Sequence, residues 1–246
     1  MTNQIKKTAE LIRSSKKITA LTGAGISVES GIPPFRGAGS IWDKIDPMEY
    51  AHIDAFLKNP EKVWKGLLIE MGDIIKKAKP NDGHNGLAAL EKNGYLQTII
   101  TQNVDGLHQL AGNKDVIEFH GSFAMVSCMK CHKHRETIHV NLTKIPPECE
   151  CGGLLRPDCV FFGEMIPEES LRRSRKIASE CELMLVVGTS AVVQPASLMP
   201  EIAKNHGAII IEINPESTPL SHRVSDYLLK GTAGEIMRQL RLELEI

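Results

Sequence analysis

The feature that most constrains this chain is a short apolar run, residues 17–22, that passes directly into Gly23-Ala24-Gly25. The run is long enough for a buried strand, and three small residues after it form a turn where the backbone can approach another group closely. Similar runs recur at Leu96–Thr101, Leu183–Val187 and 208–213, and helix-spaced stretches occupy 60–77, 83–93, Glu168–Glu180, 197–205 and Ala233–Leu244. This alternation predicts an α/β fold: a Rossmann-like, doubly wound parallel sheet with helices on both faces. A length of 246 residues accommodates a single domain with a small insert.

The alternation breaks twice, at the irregular stretch 31–59 and at the cysteine- and proline-rich segment 127–156. Long stretches without regular structure inside a compact domain are usually functional, so these predict a cofactor-covering loop and a metal module. The expected large part then comprises about residues 1–30, 78–126 and 157–246, and the small part 31–77 and 127–156. Lys+Arg number 29 against 30 Asp+Glu, so no basic face for direct nucleic-acid binding is expected. The N-terminal residues are polar and unlike a leader, and no apolar run reaches membrane-spanning length. A cytoplasmic protein without a membrane partner is expected, and a chain with its own core is expected to be a monomer.

Open α/β sheets bind ligands beyond the carboxyl ends of their strands. Four strand ends here carry glycine or polar side chains: Gly23, Ala24, Gly25 and Ser27; Thr101-Gln102-Asn103-Val104-Asp105; Gly188-Thr189-Ser190; and Asn214-Pro215-Glu216. Each alone reads as a cap or an Asx turn. Together they predict one shared crevice, with the glycine turn suited to a pyrophosphate. The turn lacks the third glycine of the dinucleotide fingerprint, which argues against a conventional dehydrogenase.

Four of the six cysteines form two close pairs, Cys128 with Cys131 and Cys149 with Cys151. Four soft ligands in two knuckles predict one structural Zn2+ in a tetrahedral site. The second pair is one residue tighter than usual, and His132, His134 or His139 can replace one thiolate.

Gly23-Ala24-Gly25-Ile26-Ser27, Gly31-Ile32-Pro33, Phe35-Arg36-Gly37, Thr101-Gln102-Asn103-Val104-Asp105, Leu107-His108, His120-Gly121, Phe162-Gly163-Glu164 and Gly188-Thr189-Ser190 together resemble the sirtuin motif series, in its order and spacing. The resemblance implies NAD as co-substrate and an acyl-lysine protein or peptide as partner. In the implied reaction the acyl oxygen attacks the nicotinamide ribose, giving nicotinamide, O-acyl-ADP-ribose and free lysine. It further implies His120 as general base, with Asn103 and Asp105 holding the nicotinamide ribose and carboxamide, and Gln102 and Val104 beside them. Phe35 is implied to cover the nicotinamide site, and Arg36 to steady the loop or a phosphate. Gly188, Thr189, Ser190, Asn214, Pro215, Glu216 and Ala233 are implied contacts of the adenosine half. Val160-Phe161-Phe162-Gly163-Glu164 resembles the segment that pairs with substrate as an added strand.

Two other functions fit parts of this pattern: a protein ADP-ribosyltransferase, and a non-catalytic NAD-sensing module. His120, Asn103 and Asp105 argue against the second. Sirtuins that prefer acidic acyl groups carry a Tyr, and an Arg three residues later, in the helix after the cofactor loop. Leu67 and Glu70 align there, and no Arg occurs between Gly37 and His134. Leu67, Leu68 and Ile69 are therefore expected to offer apolar surface and Gly66 open space. Desuccinylation is not expected.

Overall fold

An apolar run becomes a central strand only if both its faces are covered. The computed structural model, which describes residues 2–34, 39–43 and 45–246, covers them. In chain order the strands are β1 (Ile18–Thr22), β2 (Leu96–Thr101), β3 (Val116–Glu118), β4 (Gly121–Cys128), β5 (His134–Glu136), β6 (Leu155–Cys159), β7 (Leu183–Val187), β8 (Ile209–Asn214) and β9 (Tyr227–Lys230). Six of them form one parallel sheet in the order β3-β2-β1-β7-β8-β9. Its first three strands run outward one way and the next three the other, so the order reverses between β1 and β7. A ligand crevice belongs at that reversal.

Alternation along β7 shows how the sheet is packed, since successive side chains point to opposite faces. Leu183, Leu185 and Val187 join a core with helices Thr2–Ser14, Asp82–Lys92 and Ala233–Leu244. Met184 and Val186 face helices Glu168–Glu180 and Leu198–Asn205. Burying both faces removes most of the apolar surface from water, at roughly 25 cal/mol per Å².

The two interruptions pack on each other. Residues 47–77 form short helices containing one π-helical turn, Trp64–Leu68. Strands β5-β4-β6 form an antiparallel sheet. Phe56, Trp64 and Leu68 from the first share a core with Cys128, Cys149 and Leu155 from the second.

Three features are not readable from the sequence pattern. The glycine turn enters a 3-10 helix, Ala24–Ser30, ending at left-handed Gly31. Phe162, within the 160–164 segment, bridges His52. Edge strands β3 and β9 have three and four residues, too short to carry a readable period. Among the described residues no helix is long and apolar enough to cross a membrane.

Candidate functional site

A cleft of about 650 Å³ lies where the sheet order reverses, between the parallel sheet, the 47–77 helices and residues 159–164. Its floor is built by two glycines in mutual contact. The Gly25 amide donates to the Gly188 carbonyl at 2.7 Å. A Cβ on Gly25 would fall 2.7 Å from that oxygen, and one on Gly188, whose φ is +60, would fall 2.3 Å from the Ile26 nitrogen. Only glycine lets the ends of β1 and β7 close to this distance.

His120 lines this cleft directly after β3. Its Nδ1 lies 3.0 Å from the Gln102 carbonyl oxygen. A carbonyl can only accept, so Nδ1 carries the proton and Nε2 keeps its lone pair. Burial pulls the pKa below 6.5, against the opposing pull of the Gln102 carbonyl. The imidazole is thus neutral at pH 7 and built to accept a proton at Nε2.

Gln102 and Asn103 also line the cleft. Gln102 Nε2 donates to Thr189 Oγ1 at 3.0 Å, tying the end of β2 to that of β7. Asn103 Nδ2 donates to the Gly23 carbonyl at 3.2 Å and to Ser27 Oγ at 3.1 Å. Asp105 accepts from Ser27 Oγ at 2.7 Å and caps the Leu107 amide at 2.9 Å. Ser27 therefore braces Asn103, and Asp105 holds Ser27. Two buried histidines belong to this support: His108, named above only as part of the motif series, and His84, which the sequence reading missed. His84 is pulled down to about 4 and His108 to about 3, both by burial, so neither adds charge beneath the cleft.

The remaining expected contacts divide. Ala24, Val104, Thr189, Ser190, Asn214 and Glu216 line the cleft, as do Val160, Phe161, Phe162, Gly163 and Glu164. Pro215 is exposed beside the wall. Ala233 is buried against Gly83, in the helix packing rather than the cleft. Phe35 and Arg36 lie outside the described residues. Ser217, Thr218, Pro219, Val192, Val193 and Gln194 also line it. Each of these directly follows a strand-end motif, and that adjacency is the signal that could have found them.

The sequence model of the Sir2 family matches residues 23–195 of this chain. The chain belongs to the Sir2 family. It is 47% identical over 238 residues to NAD-dependent protein deacylase 1 of Archaeoglobus fulgidus, covering 96% of each. A solved Sir2 homolog–NAD complex matches this Sir2-family fold with a TM-score of 0.89 at 46% identity, over 98% of this chain and 94% of that one. A Sir2–p53 peptide–NAD+ complex matches with a TM-score of 0.89 at 35% identity, over 97% and 98%.

At its other end the Sir2-family cleft is apolar, and here the register differs from expectation. Leu67, Leu68 and Met71, with the i,i+3 and i,i+4 spacing of one helix face, line the cleft while Glu70 is exposed. Ile69 packs on the third core instead. Gly66 does not open space: a Cβ there would fall 2.3 Å from the Tyr50 ring.

The segment after β6 is held by one ion pair. Arg156 donates to both oxygens of Glu164 at 2.6 and 2.7 Å and to the Cys159 carbonyl at 2.8 Å, with its guanidinium over the Phe161 ring. Glu164 also accepts from the Phe161 amide at 2.8 Å. Burial pushes the Glu164 carboxyl up, but Arg156 and that amide outweigh it and hold the group below 4.5. Lysine lacks the planar fork that makes this pattern. Arg156→Lys should therefore raise KM for an acyl peptide about tenfold, equivalent to ~1.4 kcal/mol, with KM for NAD little changed. Equal effects on the two KM values would show that the clamp is not local to this segment.

The four cysteines converge. The sulfurs of Cys128, Cys131, Cys149 and Cys151 all lie within 4.8 Å of one another, which suits a tetrahedral Zn2+. The tight second knuckle works because Gly152 is left-handed and Gly153 leaves room: a Cβ on Gly153 would fall 2.6 Å from Cys128 Sγ. The Cys131 amide, joined by that of Lys130, pulls Cys128 down to about 6. Hydrogen bonding from Cys131 pushes Cys151 up to about 11. His134 bonds Asp158 at 2.7 Å and His139 pairs with Glu136 at 3.3 Å, so neither belongs to the cluster.

Proposed function

We propose that this chain is an NAD-dependent protein lysine deacylase. The observation that carries the reading is His120, neutral and anchored through Nδ1, in the wall of a cleft whose other end is apolar. Bound NAD supplies an electrophilic ribose carbon for the acyl oxygen and nicotinamide as the leaving group. We assign His120 Nε2 as the acceptor of a ribose hydroxyl proton. Asn103 orients the nicotinamide half, held in turn by Ser27 and Asp105. Gly23, Ala24 and Gly25 take the pyrophosphate, and Gly188, Thr189, Ser190, Asn214 and Glu216 the adenosine half. Residues 160–164 pair with the acyl peptide, and Phe35 covers the nicotinamide. One structural zinc is held by Cys128, Cys131, Cys149 and Cys151.

The division of labour follows the same lines: a nucleotide-binding part of about 1–30, 78–126 and 157–246, and a small part that closes over it. We read it as a cytoplasmic monomer, and the near-balanced charge supports substrates reached without direct nucleic-acid contact.

Leu67, Leu68 and Met71 make the acyl end apolar, and Glu70 points away from it. Each added methylene gains up to ~0.8 kcal/mol where there is room. A buried carboxylate without a cation loses more than that. Nicotinamide release should therefore follow acetyl, butyryl and myristoyl forms of one lysine peptide, with the succinyl form poorest in kcat/KM. No nicotinamide release from any form would sink the deacylase reading, as would product mass showing ADP-ribose on the peptide. A succinyl form that ranked first would sink the apolar assignment alone.

A further inference from the structure

Strand β8 reads Ile209-Ile210-Ile211-Glu212-Ile213, an isoleucine run interrupted by one carboxylate. Glu212 is 0% exposed. It shares a sheet face with Ile210, in the core beneath the cleft. A buried charge is costly unless fully hydrogen-bonded, and an isoleucine would pack there without that cost.

All the hydrogen bonds Glu212 accepts through its side chain come from the single loop that follows β8. Thr218 Oγ1 donates to Oε1 at 2.6 Å, and Ser221 Oγ and Ser225 Oγ donate to Oε2 at 2.6 and 3.0 Å. Hydroxyl bonds to a carboxylate at such lengths are among the stronger ones in proteins. The Thr218 amide also donates to Ser221 Oγ at 2.9 Å, and Leu220 and Val224 of the same loop are buried in the core. On its outer side this loop supplies Glu216, Ser217, Thr218 and Pro219 to the cleft wall. One carboxylate thus gathers three hydroxyls spread over the loop and fixes the shape it presents to a ligand.

We infer that Glu212 is a positioning residue for nucleotide binding: it shapes the 216–219 wall against which the adenosine half of NAD rests. The inference rests on the NAD reading above. The Gln side chain is isosteric but offers one acceptor oxygen in place of two, and its amide hydrogens face hydroxyls that now donate to the carboxylate.

ADP-ribose binding by calorimetry, alongside steady-state kinetics well below the melting temperature, tests it. Glu212→Gln should weaken ADP-ribose about tenfold and raise KM for NAD by a similar factor, with kcat and the acyl-peptide KM near those of the parent. Ser225→Ala, which removes one donor outside the cleft wall, should weaken ADP-ribose about threefold and decides the matter if the first variant does not fold. A lowered melting temperature with parental ADP-ribose affinity in the folded variants would overturn the inference and leave the NAD reading intact. Failure of the parent protein to bind ADP-ribose would remove both.

Discussion

His120→Ala should lower deacylation turnover by about 10²- to 10⁴-fold, the usual range for a lost general base, while NAD titrates almost as before. The imidazole is held by the Gln102 carbonyl through Nδ1, whereas the glycine floor and the ends of β7 and β8 carry the nucleotide contacts proposed above. The pH profile of the parent gives an independent check. Burial lowers the His120 pKa below 6.5, so the neutral base persists to below that pH. The limb on which kcat/KM falls with acid should accordingly lie under pH 6.5, and His120→Ala should lose it. Turnover near that of the parent, or an unmoved acid limb in the variant, would take His120 out of the mechanism.

Removing zinc should unfold the small part rather than silence chemistry selectively. Cys128 and Cys149 belong to the same core as Phe56, Trp64 and Phe161, and a closed thiolate site contributes folding free energy on the order of 10 kcal/mol. Elemental analysis should find about one zinc per chain. A chelator should lower the melting temperature and abolish activity together. Gly153→Ala should do the same without chelator, because its Cβ would fall 2.6 Å from Cys128 Sγ. A folded, active and metal-free protein would refute the module.

The strand-end motifs were legible because each is a local pattern. Apolar runs that stop at Gly23, Gln102, Gly188 and Asn214 state both a buried strand and where it ends. Cysteine pairing was legible for the same reason, since ligand type and spacing are written in the chain. The 3-10 turn after Gly23 was not, because it follows from the contact between Gly25 and Gly188, which are remote in sequence. Ser27 and Asp105 show the same limit: residue type suits both to ligand contact, and only the structure shows that Asp105 also accepts from Ser27, which in turn accepts from Asn103.

What the sequence by itself determined is therefore the parallel α/β frame, the strand ends that converge on one cleft, and the four clustered cysteines. Each of these depends on residue type and period, which short-range sterics and burial translate directly into local structure. Only the tertiary structure decided that Met71 lines the cleft and Glu70 does not. It alone decided the tautomer of His120, set by a carbonyl at the end of β2. It alone collected three hydroxyls from one loop around Glu212. These depend on which distant groups meet and at what distance, which no local pattern states.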